Sequence, residues 1–163
     1  MRVLGVDPGL ARTGFGIVES ERNRLSAVHY GVISSKSSMD LADRLKLIHD
    51  GIRQLAEQYE PTDASVEQVF RGANARTSLL LGHARGAAIV ALASAGLAVS
   101  EFSPLEVKQA VVGYGRASKE QVQEMVRVLL NLESVPKPED AADALAVAIC
   151  RIHSQPIESR EVR

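Results

Sequence analysis

Val-Leu-Gly-Val-Asp-Pro-Gly, residues 3–9, is the stretch from which the fold can be inferred. Its first four residues are apolar-biased with valine at two positions, which predicts a short buried strand. Pro8-Gly9 predicts a turn directly afterwards, so Asp7 lies where the strand ends. A carboxylate at such a place is costly to bury without a partner, a hydrogen bond or a metal ion. Taken alone, Asp7 fits an aspartate that holds the turn with its own side chain, and carboxylates further along the chain argue against that interpretation.

Length and composition indicate a soluble protein with one domain. The 163 residues, 45% of them hydrophobic and 24% charged, are enough to bury a sizeable core. We predict a single domain over residues 1–153 and a mobile tail over 154–163. Cys150 is the only cysteine; it excludes an intrachain disulfide, fits a cytoplasmic protein and is expected in the core. We expect no signal peptide and no membrane span, because the longest uncharged stretch, residues 86–100, is too short to cross a bilayer.

The charge distribution shows a basic excess in the middle of the chain. The formal net charge is −1, yet residues 71–127 carry seven basic and four acidic groups, while the segments on either side each have a net charge of −2. Such an excess is compatible with a surface that faces phosphates, although a solvated face is the more frequent cause.

Hydrophobic periodicity and turn residues predict five strands and four or five helices, since two or three helices follow the last strand. The predicted strands cover residues 3–6, 13–19, 25–34, 64–70 and 97–102, and the predicted helices 41–59, 75–95, 104–112, 118–132 and 139–153. Antiparallel neighbours need only short turns, whereas parallel neighbours need helical crossovers. The prediction is therefore an α/β fold with a mixed five-stranded sheet. The first strand is central, the three-stranded meander lies on one side, strands four and five are added in parallel on the other, and helices cover both faces.

Two glycines in the second predicted helix need an explanation. Gly82 and Gly86 lie one turn apart in a long apolar segment. Each weakens a helix by about 1 kcal/mol relative to alanine. We expect them to permit close approach by another helix or by a partner subunit.

Four carboxylates are predicted to converge at one edge of the sheet. Strands one and four are parallel neighbours in this arrangement, so Asp7 and Glu67 should emerge together. The final helix begins Glu-Asp-Ala-Ala-Asp, which places Asp140 and Asp143 on one helix face. The rest of that helix is apolar on almost every side, so its first turn should lie against the protein. Helix capping and dipole stabilisation, worth about 0.3–1 kcal/mol, explain Asp140 well. They explain Asp143 less well, because Asp143 lies further into the helix, on the same face as Val147, which is expected to be buried.

Four carboxylates predicted to lie close together indicate metal-dependent chemistry. Four of them cannot all stay ionised at close quarters without cations. Mg²⁺ or Mn²⁺ suits an open site with oxygen ligands. Phosphoryl transfer by two metal ions uses such a site, with one ion activating water and the other holding the leaving oxygen. The four residues are thus our predicted catalytic residues and metal ligands.

Five segments resemble the RuvC family of bacterial Holliday junction resolvases. They are GVDPG (5–9), VEQVF (66–70), ARGAAIV (84–90), VKQAVVGYG (107–115) and DAADALAVAI (140–149). The likeness spans about residues 1–153 in order. It implies a ribonuclease H-like fold, which agrees with the strand order above. It also implies Mg²⁺-dependent, symmetric nicking of two opposed strands of a four-way DNA junction by a homodimer, and an association with the RuvA–RuvB branch-migration machinery.

The resemblance assigns roles to individual residues. The four carboxylates match the family's catalytic residues, and some relatives carry histidine at the position of Asp140. Phe70 matches an aromatic residue that stacks on a base at the crossover. Lys108 and Lys119 match basic residues that contact the DNA or the reacting phosphate. The full set of predicted DNA contacts is Phe70, Arg71, Arg76, Lys108, Tyr114, Arg116 and Lys119.

Two other classes of protein were weighed against an endonuclease. An actin-like ATPase also has a phosphate loop with aspartate and glycine after its first strand. That class needs two such domains around a cleft, for which 163 residues leave no room. A junction-binding module without catalysis is disfavoured by the intact set of carboxylates.

Overall fold

Five strands and five helices make up the part of the chain that the computed structural model describes, residues 1–68 and 73–155. The strands are β1 (Arg2–Asp7), β2 (Arg12–Glu21), β3 (Arg24–Ser34), β4 (Asp63–Glu67) and β5 (Ala98–Phe102). The helices are α1 (Leu41–Tyr59), α2 (Ala75–Ser94), α3 (Pro104–Val112), α4 (Lys119–Leu129) and α5 (Glu139–His153). The predictions made for Phe70 and Arg71, and for the tail beyond residue 155, lie outside the described residues.

The sheet has the predicted order, β3-β2-β1-β4-β5. β1 is antiparallel to β2 and parallel to β4, and β5 is parallel to β4. Residues 3–6 of β1 are buried throughout, as expected of a central strand that is covered on both faces. Val6 is paired with Val66, so Asp7 and Glu67 follow side by side at the same edge of the sheet. The mixed sheet and its central first strand are confirmed.

Two hydrophobic cores lie on the two faces of the sheet. One contains Ile48 and Ile52 of α1 with Ala84, Ala88 and Leu92 of α2. The other contains the apolar residues of α3, α4 and α5, and it includes Cys150, which is 2% exposed. Cys150 is thus a core residue, as predicted.

A line of glycines lets α5 lie directly on the sheet. A Cβ at Gly5 would overlap the carbonyl oxygen of Ala144, and a Cβ at Gly14 would overlap that of Asp140. A Cβ at Gly16 would lie 2.8 Å from the backbone nitrogen of Leu145. The strand backbone therefore lies directly against the helix backbone at Gly5 and Gly14, and against both the backbone and the side chain of Leu145 at Gly16. We refer to Gly5, Gly14 and Gly16 as the glycine seam.

Helix ends follow the capping residues. Ser103 and Ser118 each form a capping box, at the start of α3 and α4 respectively, as predicted for Ser118. α4 ends at Leu129, earlier than the predicted residue 132, because Asn131 adopts a left-handed conformation with φ of 52°. β4 ends at Glu67, where the prediction had extended the strand to residue 70.

The prediction that Gly82 and Gly86 receive another helix of this chain is wrong. No described atom outside the local backbone lies within 4 Å of a Cβ built at either residue. α2 packs on α1 through its alanine face instead, and the glycine face is open. Close approach by a partner subunit stays a prediction.

α2 is also the one described helix that is long and apolar enough, by length and composition, to cross a membrane. The expectation from uncharged stretches had excluded any such segment. Core helices of soluble proteins meet the same criterion, and the alanine face of α2 is buried against α1.

Candidate active site

Asp7 and Glu67 are placed by the ends of parallel strands. Both are half-buried and both follow a buried valine of the central sheet. The backbone N–H of Gln68 donates to the carbonyl of Phe102 at 2.8 Å, which holds the chain after Glu67 against the end of β5. The two carboxylates therefore project from a rigid edge.

The glycine seam brings α5 to the same edge. Asp7 is paired with Gly14 across β1 and β2, and a Cβ at Gly14 would lie 3.0 Å from the Cβ of Asp140. The first turn of α5 thus lies beside Asp7. The buried hydroxyl of Ser65 donates to the carbonyl of Val147 at 3.1 Å, which ties α5 to β4 as well.

Burial and mutual repulsion raise the pKa of three carboxylates. Burial, with the charges of Glu67, Asp143 and Asp140, raises the pKa of Asp7 to about 8. Burial, with the charge of Asp143, raises the pKa of Glu67 to about 7. The pKa of Asp143 is also raised, chiefly by burial and against the opposing charge of Lys119. A group of carboxylates that resists ionisation in this way is a site prepared for cations.

Lys119 is the cation nearest to Asp143 in the described structure. Its Nζ lies 3.0 Å from Glu139 and 3.2 Å from Asp143. Burial lowers the pKa of Lys119, but the hydrogen bond to Glu139 and the charge of Asp143 outweigh it, and the net pKa is raised. Lys119 therefore stays charged at neutral pH.

A cavity of about 280 Å³ adjoins this group. Its polar wall consists of Glu67, Asp143 and the lysines 108 and 119, and its apolar wall includes Val107. The charge of Lys108 acts on Glu67 and lowers its pKa, against the effect of burial. Carboxylates and lysines thus face one open space that a phosphate could enter.

Comparison with known proteins identifies the family. A family model described as crossover junction endodeoxyribonuclease RuvC matches residues 3–151. The chain belongs to the RuvC family.

Relatives match the chain over nearly its whole length. A protein of Syntrophotalea carbinolica named crossover junction endodeoxyribonuclease RuvC is 54% identical over 153 residues, which cover 94% of each chain. A Thermus thermophilus RuvC structure has a TM-score of 0.87 at 33% identity, with 94% of each chain covered. A structure of T. thermophilus RuvC in complex with a Holliday junction substrate has a TM-score of 0.86 at 31% identity and the same coverage. The fold is thus the ribonuclease H-like fold of RuvC.

The RuvC carboxylates have the right chemistry for hard divalent cations. All the donors are oxygens, and the pKa values of Asp7 and Glu67 are raised by burial and then by the repulsion between carboxylates that a cation would relieve. The Oδ2 atom of Asp140 is buried and accepts no hydrogen bond, so it has an unused lone pair. As placed, the described residues contain no group of three or more His, Cys, Asp or Glu side chains that encloses an ion. The donors fit Mg²⁺ by type and electrostatics, and not by the positions at which the described side chains are placed.

Asp140 is not the helix cap that its position suggested. α5 is preceded by Pro138, and no side chain caps its first turn. The carboxylate faces Arg12 instead, with Nε 3.1 Å from Oδ2. Capping therefore does not account for Asp140.

The remaining predicted DNA contacts that the structure describes do not line the cavity. Arg76 and Arg116 are exposed. Tyr114 is 46% exposed, and its hydroxyl donates to Oε1 of Gln121 at 3.0 Å. The same Oε1 accepts from the backbone N–H of Ser118, so the loop of Tyr114 is fixed to the start of α4.

Two features of this RuvC site were missed from the sequence. The alternating glycines of Thr-Gly-Phe-Gly, residues 13–16, occur at the period of a strand face, and that pattern could have revealed the glycine seam. Arg12 gave no local signal, because its partner Asp140 is remote in the chain.

Proposed function

We propose that the protein is a Holliday junction resolvase, an endonuclease that makes symmetric paired nicks in four-way DNA junctions during recombination and repair. One observation carries the proposal: a chain that matches RuvC over residues 3–151 has acidic and basic side chains facing one cavity at one edge of its sheet. The RuvC structure in complex with a Holliday junction supports four-way junction DNA as the substrate.

Mg²⁺ is the proposed cofactor, with two ions in each site and Mn²⁺ able to replace it. Asp7, Glu67, Asp140 and Asp143 are the proposed ligands. When bound there, the ions supply an activated water and stabilise the leaving oxygen. The Oδ2 of Asp140, which accepts no directed hydrogen bond, and the raised pKa of Asp7 support this ligand set.

The two lysines of the cavity oppose the repulsion between carboxylates and DNA. Lys119 stays charged and holds Asp143 in place. Lys108 adds a second positive charge on the same wall. Phosphate contacts by lysine supply much of the affinity for nucleic acid, so these two residues would draw the scissile phosphate toward the carboxylates.

Aromatic and arginine side chains complete the proposed DNA interface. Phe70 is proposed to stack on a base at the crossover, an interaction worth about 1–3 kcal/mol. Phe70→Ala should therefore lose cleavage and leave the free energy of unfolding nearly unchanged, as chemical denaturation would measure. A loss of several kcal/mol of stability would place Phe70 in the core. The other proposed contacts are Arg71, Arg76, Tyr114 and Arg116.

A homodimer is proposed because paired nicks need two active sites related by two-fold symmetry. The face of α2 that carries Gly82 and Gly86 is the proposed interface. Leu79 and Val90 flank these glycines and are 67% and 56% exposed, an unusual state for two large apolar side chains on one helix. Glycines with open space above them would let two copies of α2 approach closely.

The RuvA–RuvB branch-migration complex and a cytoplasmic location are proposed from the family alone. A protein that acts on chromosomal DNA would work in the bacterial cytoplasm, and it would meet the branch-migration complex there. A cytoplasmic protein should be recovered without detergent, whereas a requirement for detergent would favour a membrane role for α2.

The decisive experiment compares a four-way junction with a duplex of matched sequence, each with and without Mg²⁺. We expect paired nicks at symmetric positions in the junction, only with Mg²⁺, and none in the duplex. Asp43→Asn removes an exposed carboxylate from α1 and serves as a control that should cleave normally. Junction binding without cleavage in every metal would favour the junction-binding module, and equal cleavage of duplex would exclude a resolvase.

A further inference from the structure

Arg12 occupies an unusual position at the rim of the active site. It is the first residue of β2, and its side chain is 58% exposed. Its Nε nevertheless lies 3.1 Å from the buried Oδ2 of Asp140. The N–H does not point at that oxygen, so the contact is one of opposite charges without a directed hydrogen bond.

The backbone of Arg12 is fixed although its side chain is exposed. The Oγ1 of Thr13 donates to the carbonyl of Gly9 at 2.8 Å, which closes the turn between β1 and β2. A Cβ at Gly9 would overlap the carbonyl oxygen of Arg12, so the turn is as tight as glycine allows. Arg12 thus has an anchored backbone, paired with Ser34 of β3, and a long side chain that can change partner without moving the fold.

We propose that Arg12 is the internal counter-ion of Asp140 in the metal-free protein, that a divalent cation displaces it, and that its guanidinium then binds a phosphate of the DNA backbone. The proposal deepens the proposed function. Asp140 stands among other carboxylates, and without metal the guanidinium of Arg12 is the charge that offsets it. A cation that binds the Oδ2 of Asp140 neutralises the negative charge that attracts the guanidinium of Arg12.

The displaced guanidinium would lie where DNA must pass. The planar fork of arginine matches phosphate oxygens better than the single point charge of lysine. Lys108 and Lys119 stand on the cavity side, against Glu67 and Asp143, whereas Arg12 stands beside Asp140. Arg12 would therefore hold the backbone on the flank of the carboxylates that the two lysines do not cover.

Thermal unfolding tests the first step without any cleavage. In EDTA, Arg12→Gln should lower Tm by about 1–4 °C, the range for a partly exposed ion pair in a chain of this size. In an Asp140→Asn background the same substitution should have no effect. With saturating Mg²⁺, Arg12→Gln should melt at or above the wild-type temperature, because the variant has lost only a competitor of the metal. Arg24→Gln, at the far end of the sheet, should change Tm in neither condition.

Two results of this cycle would overturn the counter-ion role. An equal loss of Tm in EDTA and in Mg²⁺ would make Arg12 a permanent structural tie between β2 and α5. No loss in EDTA would mean that the contact with Asp140 does not stabilise the metal-free protein. Neither result depends on whether the protein cleaves junctions. The Tm measurements can therefore refute the counter-ion role of Arg12 without refuting the proposed nuclease function, and the cleavage assay can do the reverse.

Salt dependence tests the second step. A lost phosphate contact reduces the slope of log affinity against log salt by about one. Arg12→Gln should leave this slope unchanged for junction binding in EDTA and should reduce it for the KM of cleavage in Mg²⁺. A reduced slope in EDTA as well would make Arg12 an ordinary DNA contact, and an unchanged slope in Mg²⁺ would exclude the phosphate contact.

Discussion

Asp7 owes its raised pKa first to burial and then to its carboxylate neighbours. The folded protein thus holds the proton of Asp7 more tightly than the unfolded chain does, with a pKa of about 8 against 3.8. Stability from this group is therefore fully present below about pH 4 and is lost as the pH rises through 8.

This sign gives a prediction for Asp7→Asn in EDTA. At pH 5 the side chain of Asp7 is neutral in the folded protein but already ionised in most unfolded chains, so the variant should melt slightly above the wild type. At pH 8.5 the wild type carries a buried, repelled charge and the variant does not, so the variant should melt about 3–10 °C higher. A Tm difference that stays constant between pH 5 and pH 8.5 in differential scanning calorimetry would contradict the raised pKa.

The same variant should separate binding from chemistry. Asp7→Asn is nearly isosteric and should fold. Junction cleavage in Mg²⁺ should fall at least about 100-fold. This is more than the loss typical of replacing a residue that only hydrogen-bonds to a metal ligand. Junction binding in EDTA should stay the same or tighten, because one repulsive charge has gone. Asp43→Asn should cleave at the wild-type rate in the same assay.

Two outcomes would contradict this assignment. Cleavage by Asp7→Asn at a rate near wild type would show that Asp7 has no catalytic role. A parallel loss of binding and cleavage in a folded variant would instead make Asp7 part of a recognition surface.

Individual residues were predictable from the sequence where local rules apply. Asp7 and Glu67 follow apolar runs that had to be parallel strands, and Asp140 and Asp143 follow from helical spacing. The contact of Arg12 could not be predicted, because it joins the two ends of the chain and depends on where α5 lies.

Among the helices, α2 shows most clearly what cannot be predicted from the sequence. A glycine pair is consistent with close packing and equally with an open surface, because the residue that explains it can belong to another molecule. The periodicity of α1, α2 and α5 gave their bounds almost to the residue, since apolar spacing and proline stops are local signals.

The open face of α2 gives a prediction about assembly. No described atom of the chain obstructs a side chain at Gly82, and leucine favours a helix by about 1 kcal/mol over glycine. Gly82→Leu should therefore fold at least as well as the wild type and dimerise more weakly, as sedimentation equilibrium would measure. Gln58→Leu adds an equal apolar surface on exposed α1 and should stay dimeric. A fully dimeric Gly82→Leu would exclude this face as the interface.

For the whole molecule, metal binding should appear as stability. Ligands that bind only the folded state raise Tm by mass action. Millimolar Mg²⁺ or Mn²⁺ should therefore raise Tm, and monovalent salt at matched ionic strength should reproduce little of the effect. Asp7→Asn should lose most of this response. An equal rise with monovalent salt would indicate general screening of charge rather than a site.

The glycine seam limits how this protein can be engineered. Replacing glycine with alanine is a common way to stiffen an unfolded chain and gain stability. At Gly5 and Gly14 the added methyl group would meet helix backbone, which cannot rotate aside as a side chain can. α5 would have to lift, and Asp140 and Asp143 would be carried away from Asp7 with it. Thermostabilising libraries should therefore leave these glycines unchanged and seek their gains on α1, which lies in the hydrophobic core on the opposite face of the sheet from α5.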